Sequence, residues 1–132
     1  MIWSTVLVVG LVAVLLLMFY VSRRSNGLDS SYYKKRWSEI EQTARSGDSG
    51  LKIAVIDGDK LVNQALKSSR VHGDTMGERM KQASYLKSID SLWQAHKLRN
   101  KLVHETDVKL KESTAQSALS AYRKTLKELG AL

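Results

Sequence analysis

Residues 2–21 read IWSTVLVVGLVAVLLLMFYV, and no charged residue precedes Arg23. At about 1.5 Å per residue, a helix of this length extends roughly 30 Å, which matches the hydrocarbon core of a bilayer. Trp3 lies near one end of the stretch and Tyr20 near the other, where interfacial aromatic residues are typical of membrane spans. The stretch therefore predicts a transmembrane anchor over residues 1–22.

Two other interpretations of this stretch are less consistent with its composition. A cleaved signal peptide has a basic segment at its start, a shorter apolar stretch and a small-residue cleavage site, and the sequence has none of the three. A core helix that is apolar on every side needs a domain larger than this chain supplies to cover it. We therefore expect the membrane lipid bilayer to be the partner of this segment.

Positive charge follows the apolar stretch directly. Arg23 and Arg24 come first, and Lys34, Lys35 and Arg36 reinforce them, whereas only the terminal amine precedes the stretch. Because Lys and Arg are enriched on the cytoplasmic side of membrane spans, we expect a single-pass protein of the cell membrane. Its N-terminus is expected outside and its C-terminal domain in the cytoplasm.

All 21 Lys and Arg residues and all 13 Asp and Glu residues follow the predicted anchor, and the chain has a net charge of +8. After a juxtamembrane linker over residues 23–29, residues 30–132 suffice for one small domain and leave no room for a large multidomain enzyme. The sequence contains no Cys, which excludes a disulfide framework, a zinc-thiolate site and a thiol nucleophile. It also contains no Pro, which suits long helices.

Apolar residues recur at helical spacing through residues 30–132, and no alternating strand pattern is present. The spacing predicts burial of Tyr33, Trp37, Ile40, Ala44, Leu51, Ala54, Val55, Gly58, Val62, Ala65, Leu66, Met80, Ala83, Leu86, Ile89, Trp93, Leu102, Val103, Ala115, Ala118, Leu119, Tyr122, Leu126 and Leu129. We predict an all-α fold, in which the N-terminal transmembrane helix is followed by a bundle of four to five helices.

Capping residues predict where these helices begin and end. The first begins at Asp29 or Ser30 and ends at Gly47, and Gly130 ends the last. Thr75 and Glu78 have the spacing of a capping box and begin a helix after a turn. The other boundaries are expected near these positions: a second helix over residues 49–70, an interruption at 88–91, a connector over 106–112 and a last helix over 113–129.

Gly58 lies on the apolar side of the second predicted helix, where glycine lowers helix propensity. Its presence indicates that a neighbouring helix approaches closely. Asp57 and Asp59 flank it, but residues i and i+2 of a helix point in different directions and do not form a metal site. We interpret both aspartates as solvated or capping charges.

The nine-residue stretch from His96 to His104, HKLRNKLVH, contains several polar side chains that could bind a ligand or take part in catalysis. His96, Asn100 and His104 are successive i+4 neighbours and line one stripe of a helix. For His96 and Asn100, the favoured interpretation is a packing role through hydrogen bonds. The two histidines are about 12 Å apart along the helix, too far to share a metal ion without other ligands. We expect neither a metal nor a cofactor.

Within this stretch, residues 99–104 read RNKLVH, an Arg and a His separated by four residues. This pattern resembles the motif of the HEPN superfamily (higher eukaryotes and prokaryotes nucleotide-binding), in which a polar residue such as Asn100 commonly follows the Arg. Residues 92–105, with the turn at 73–79, are similar to a group of membrane-anchored bacterial HEPN-like proteins. The toxin branch of the family has a Tyr two residues after the His, where this chain has Thr106.

The resemblance implies an HEPN-like helical bundle over about residues 30–130. It also implies a symmetric homodimer whose motifs face one cleft, with metal-independent RNA cleavage in some members and non-catalytic binding of RNA or a nucleotide in others. In the catalytic case His104 would act as base or acid on the 2′-hydroxyl or the leaving oxygen, Arg99 would hold the phosphate, and Asn100 would orient one of them. A supporting or substrate-binding role is implied for His96, Lys97 and Lys101.

The basic residues are compatible with two kinds of partner, nucleic acid and anionic lipid. Lys97, Arg99, Lys101, Lys109 and Lys111 cluster near the motif, which favours nucleic acid. Basic residues near a cytoplasmic membrane surface also attract anionic lipid. We therefore predict a metal-independent endoribonuclease, with a non-catalytic RNA- or nucleotide-binding module or a membrane-tethered interaction scaffold as the alternative. The sequence does not identify an antitoxin or regulator.

Overall fold

The computed structural model describes residues 1–24 and 27–132, and the side chains of residues 1–20 and 27–132. These residues form six helices and no strand. The helices are α1 (Ile2–Arg24), α2 (Ser30–Ala44), α3 (Gly47–Ser68), α4 (Met76–Gln82), α5 (Ile89–His104) and α6 (Glu112–Glu128). The prediction of an all-α fold is confirmed.

Helix α1 contains the predicted anchor. Its segment Ile2–Tyr20 is long and apolar enough to cross a membrane, and none of it is buried inside the protein. The helix continues to Arg24, beyond the predicted boundary at residue 22. Of the linker predicted over residues 23–29, residues 25–26 lie outside the described residues, as do the side chains of residues 21–24.

Helix α2 begins as its sequence predicts. Asp29 is the N-cap, and its carboxylate accepts hydrogen bonds from the backbone N–H groups of Ser31 and Tyr32. The helix ends at Ala44, before Gly47, which has a φ of +86° and is the first residue of α3. The prediction that Gly47 ends the first helix is therefore wrong, because its backbone conformation belongs to the tight turn that starts the next one.

Helix α3 is the centre of the bundle and packs against α2, α4, α5 and α6. All the residues predicted to lie on its apolar side are buried. Gly58 faces α6: a Cβ atom at this position would lie 2.5 Å from Cδ2 of Tyr122. The predicted close approach of a neighbouring helix is confirmed, and Tyr122 is the residue that requires it.

Between α3 and α5, the interruption of the helical pattern lies at a different position from the one predicted. Thr75 caps α4 by accepting from the N–H of Glu78, as predicted. The helical pattern is broken between Gln82 and Ile89, several residues earlier than predicted. The N–H of Ser88 donates to the Glu128 carboxylate at 2.7 Å, which fixes the start of α5 at this point.

Val103 is 46% exposed, so the prediction that it is buried is wrong. The buried side of α5 contains Leu92 and Ala95 and continues through the partly buried Leu98 and Leu102. Val103 lies about 100° further around the helix than Leu102 and turns away from the core.

Helix α6 agrees closely with its prediction. Its predicted core residues, from Ala115 to Leu129, are buried. Gly130 has a φ of +80°, and the N–H groups of Gly130 and Ala131 donate to the carbonyls of Lys127 and Leu126. This pair of bonds is a Schellman-type end, and glycine at the left-handed position explains why the helix stops there.

Candidate functional site

The centre of the candidate site is Asp59 of α3, whose side chain is only 4% exposed. The interpretation of Asp59 as a solvated or capping charge is wrong. Along α3 it lies four residues after Val55 and three before Val62, both of which are fully buried. The helical spacing therefore places Asp59 at the edge of the buried side, where it faces α5.

His96 of α5 contacts this carboxylate. Its Nδ1 atom lies 3.0 Å from Oδ1 and 3.3 Å from Oδ2 of Asp59, and its side chain is 12% exposed. Nδ1 must carry a proton to donate to the carboxylate, so this contact selects either the Nδ1–H tautomer or the charged ring. The edge of His96 also packs against Trp93 at a ring separation of 6.2 Å. The favoured packing role of His96 agrees with these contacts.

Arg99 lies one turn further along α5 and also faces Asp59. Its Nε atom is 3.7 Å from Oδ2 of Asp59, and its Nη1 donates to Oδ1 of Asn100 at 2.9 Å. The Nε atom is buried and has no hydrogen-bond partner among the described residues, so its attraction to Asp59 is a long ion pair. The side chain is 27% exposed, which leaves part of the guanidinium at the surface.

Tyr122 of α6 completes the cluster. Its hydroxyl donates to the carbonyl of Ala95 at 3.1 Å and lies 3.4 Å from Oδ1 of Asp59. Burial raises the pKa of Tyr122 far above its ordinary value, and the negative charge of Asp59 raises it further. The phenol therefore remains a hydrogen-bond donor, and the cluster joins α3, α5 and α6.

The other predicted site residues lie outside this cluster. Lys97, Lys101 and His104 are exposed and lie within about 60° of arc on the solvent side of α5. We call these three residues the α5 cationic strip. Arg99 and His104 are separated by about 140° around the helix axis. Within one chain, the two residues predicted to be catalytic therefore face different directions.

The structure thus brings together His96, Arg99 and Asn100, and adds two residues to which the sequence analysis assigned no functional role, Asp59 and Tyr122. Asp59 carries a carboxylate at the edge of the apolar side of α3, and this placement could have been noticed in the sequence. Its partner His96 is 37 residues away, and nothing in the local pattern pairs them.

Two other features of the described residues, grouped metal ligands and surface clefts, do not coincide with Arg99 or His104. Among residues 1–24 and 27–132, no three His, Cys, Asp or Glu side chains are grouped to hold a metal ion. A cleft of about 300 Å³ lies between α2 and α6, beside Trp37 and Arg123, and one of about 130 Å³ lies between α5 and α6. Neither cleft is lined by Arg99 or His104.

We call the group formed by Asp59, His96, Arg99 and Tyr122 the Asp59 cluster. It fixes α5 against α3 and α6, while the other side of α5 presents cations to solvent. No protein-family model matches the chain, and no significant match was found among curated proteins or among solved structures.

Proposed function

We propose that this protein is a membrane-anchored, HEPN-like module that binds RNA through the α5 cationic strip, with its helical domain in the cytoplasm. The observation that carries the proposal is the exposure of Lys97, Lys101 and His104 on one side of α5. None of the three forms an ion pair with a described carboxylate. Unpaired cations spaced along a helix are suited to successive phosphates of a nucleic acid backbone.

The Asp59 cluster supports binding because it holds the strip in position. Asp59 and Tyr122 tie α5 to α3 and α6 through His96 and the Ala95 carbonyl. A helix held on two sides presents its outer cations at a fixed spacing, which lowers the ordering penalty of binding. In this proposal Arg99 is principally a counter-ion of Asp59.

RNA is a better partner for the strip than anionic lipid. Lys34, Lys35 and Arg36 follow the anchor within about a dozen residues and are the cations nearest to it in sequence among the described side chains. The strip is more than seventy residues from the anchor and is followed by two further exposed cations, Lys109 and Lys111. We assign lipid attraction to the first group and RNA to the second.

Metal-independent RNA cleavage is the second candidate. The observation that favours it is the exposed imidazole of His104 together with the partly exposed guanidinium of Arg99 on one helix. Because the two point in different directions, one chain does not assemble them. A symmetric homodimer would place His104 of one subunit near Arg99 of the other, where the imidazole would move the 2′-hydroxyl proton and the guanidinium would stabilise the phosphate.

One experiment tests binding and cleavage together. The full chain in nanodiscs of uncharged lipid is mixed with labelled single-stranded RNA and excess chelator, and both the bound fraction and the RNA length are followed. We expect bound, intact RNA, and weaker binding by Lys97→Ala/Lys101→Ala. The matched control is Lys124→Ala/Lys127→Ala, which removes two exposed cations from α6 and should bind like the parent. Equal binding by both double variants would contradict the proposal.

Cleavage in the same reactions would favour the second candidate. In that case His104→Ala should leave the RNA intact while retaining the helix content of the parent, since His104 is exposed and its removal leaves no cavity in the core. Chemical cross-linking of the parent in nanodiscs would then be expected to show a dimer. RNA that is cut equally by His104→Ala would point to a contaminating nuclease.

A further inference from the structure

Arg79 of α4 is a buried cation without a carboxylate. It is 7% exposed and lies on the inner side of α4 with Met76 and Met80. Its Nη1 donates to Oδ1 of Asn63 at 2.9 Å, and this amide is the one side-chain partner recorded for it among the described residues. No carboxylate of residues 27–132 lies within ion-pair distance of its guanidinium.

This arrangement is costly unless another group supplies negative charge. A guanidinium remains charged at physiological pH, and the low exposure of Arg79 leaves little water to stabilise that charge, with only its unbonded nitrogens still in contact with solvent. A neutral amide oxygen satisfies one donor and compensates little of the charge. Buried cations are ordinarily paired with a carboxylate or a bound anion.

The carboxylates nearest in sequence to Arg79 and to Asn63, those of Glu78 and Asp59, already have partners. Asn63 lies one turn after Asp59 on α3, and Asp59 is shared between His96 and Arg99. Glu78, next to Arg79 on α4, accepts from the N–H of Asp74 at the start of the helix. This side of α3 therefore holds two arginine side chains against the single carboxylate of Asp59, an excess of positive charge.

We propose that Arg79 and Asn63 form a binding site for a small phosphate oxyanion. The planar guanidinium offers further N–H donors in a geometry that fits two phosphate oxygens, and the Asn63 amide N–H group supplies another donor. Since Arg79 is largely buried, a free phosphate or the terminal phosphate of a nucleotide can reach it better than a continuous nucleic acid backbone. The site is separate from the α5 cationic strip and does not rest on the proposed RNA binding.

The first test measures the melting temperature of the full chain in uncharged detergent. Inorganic phosphate, adenosine monophosphate and adenosine are added separately, with chloride matched for ionic strength. An anion that binds the folded state raises the melting temperature, so phosphate and the nucleotide should do so while adenosine and chloride do not. A larger effect of the nucleotide than of phosphate would assign a nucleotide as the ligand, and equal effects would assign the phosphate group alone.

Two variants locate the effect. Arg79→Met keeps an apolar stem and removes the charge, and we expect it to weaken phosphate binding about tenfold or more. Asn63→Asp places a carboxylate at the existing 2.9 Å contact, so it should raise the melting temperature in chloride and reduce the response to phosphate. Arg123→Met is the matched control, because it removes the same charge from the surface of α6.

The proposal fails if phosphate stabilises the parent no more than chloride does, a result that requires no variant to fold. It also fails if Arg79→Met responds to phosphate as strongly as Arg123→Met does. The same pair of variants separates this site from the α5 cationic strip, because phosphate bound only at the strip would stabilise Arg79→Met and Arg123→Met equally.

Discussion

The Nδ1 atom of His96 lies 3.0 Å from Oδ1 of Asp59, so two residues 37 positions apart form a polar link between α3 and α5. Arg99 joins the same carboxylate through a longer contact of 3.7 Å. Because Asp59 is almost fully buried, its carboxylate depends on these two partners to replace the contacts that water would make. For this reason the polar side chains within residues 96–100 serve mainly to hold the helices together.

Replacing Asp59 should destabilise the fold strongly. Asp59→Asn removes the counter-ion of Arg99 and the charged acceptor of His96, and we expect a loss of about 3 kcal/mol in the free energy of unfolding. Glu39→Gln is the control: it breaks the exposed pair of Glu39 with Arg36, which should change stability by less than about 1 kcal/mol. Denaturant titration of the full chain measures both. Similar small losses in both variants would contradict the assigned role of Asp59.

Adding one methyl group at Gly58 should also destabilise the protein. The new Cβ would lie 2.5 Å from the buried ring of Tyr122, so Gly58→Ala should lose about 1–3 kcal/mol despite the better helix propensity of alanine. At Gly77 the nearest group to a new Cβ is Trp93, at 3.8 Å, so Gly77→Ala should be neutral or slightly stabilising. If Gly58→Ala were as stable as Gly77→Ala, the close approach of α3 and α6 would be wrong.

Acid should weaken the contact between α6 and the start of α5. Burial acts to raise the pKa of Glu128, but hydrogen bonds from Ser88 and Lys87 outweigh it and hold the pKa below its ordinary value of 4.5. A lowered pKa in the folded state gives stability that is present above about pH 4.5 and is lost as the pH falls through the folded-state value.

The measurement compares the melting temperature of the parent with that of Glu128→Gln between pH 6 and pH 3. Glutamine does not titrate, so the variant should be less stable at pH 6, and the difference should shrink as the pH falls. A difference that stays constant over this range would show that the charge of Glu128 does not contribute.

The proposed topology is open to chemical labelling because the chain contains no cysteine. Single substitutions Ser4→Cys, near the start of α1, and Ser120→Cys, exposed on α6, provide one label site each. In intact cells a membrane-impermeant maleimide should label the first and not the second. Labelling of Ser120→Cys without disrupting the cells would reverse the predicted orientation.

Local sequence patterns predict much of the fold. Spacing at three and four residues placed the apolar sides of α2, α3 and α6, because those helices bury one continuous side against the core. Asp29, Thr75 and Gly130 act through bonds to backbone groups within a few residues, so their capping roles were also predictable.

The features that the sequence did not predict depend on contacts between residues far apart in the chain. The start of α5 is set by Glu128, forty residues after Ser88, and the burial of Asp59 depends on His96 and Arg99. The motif over residues 99–104 draws attention to Arg99 and His104 but gives no sign that one faces α3 and the other faces solvent. Helical periodicity gives the angle between two residues but not which neighbouring helix each one meets.

The salt dependence of RNA affinity tests most directly whether the α5 cationic strip binds the RNA backbone, as we propose. Each cation that neutralises a phosphate of single-stranded RNA contributes about 0.7 to the slope of log affinity against log salt concentration. Lys97→Ala/Lys101→Ala should therefore lower the magnitude of the slope by roughly 1.4, whereas Lys124→Ala/Lys127→Ala should leave it unchanged. An unchanged slope after removal of Lys97 and Lys101 would contradict the proposed binding surface.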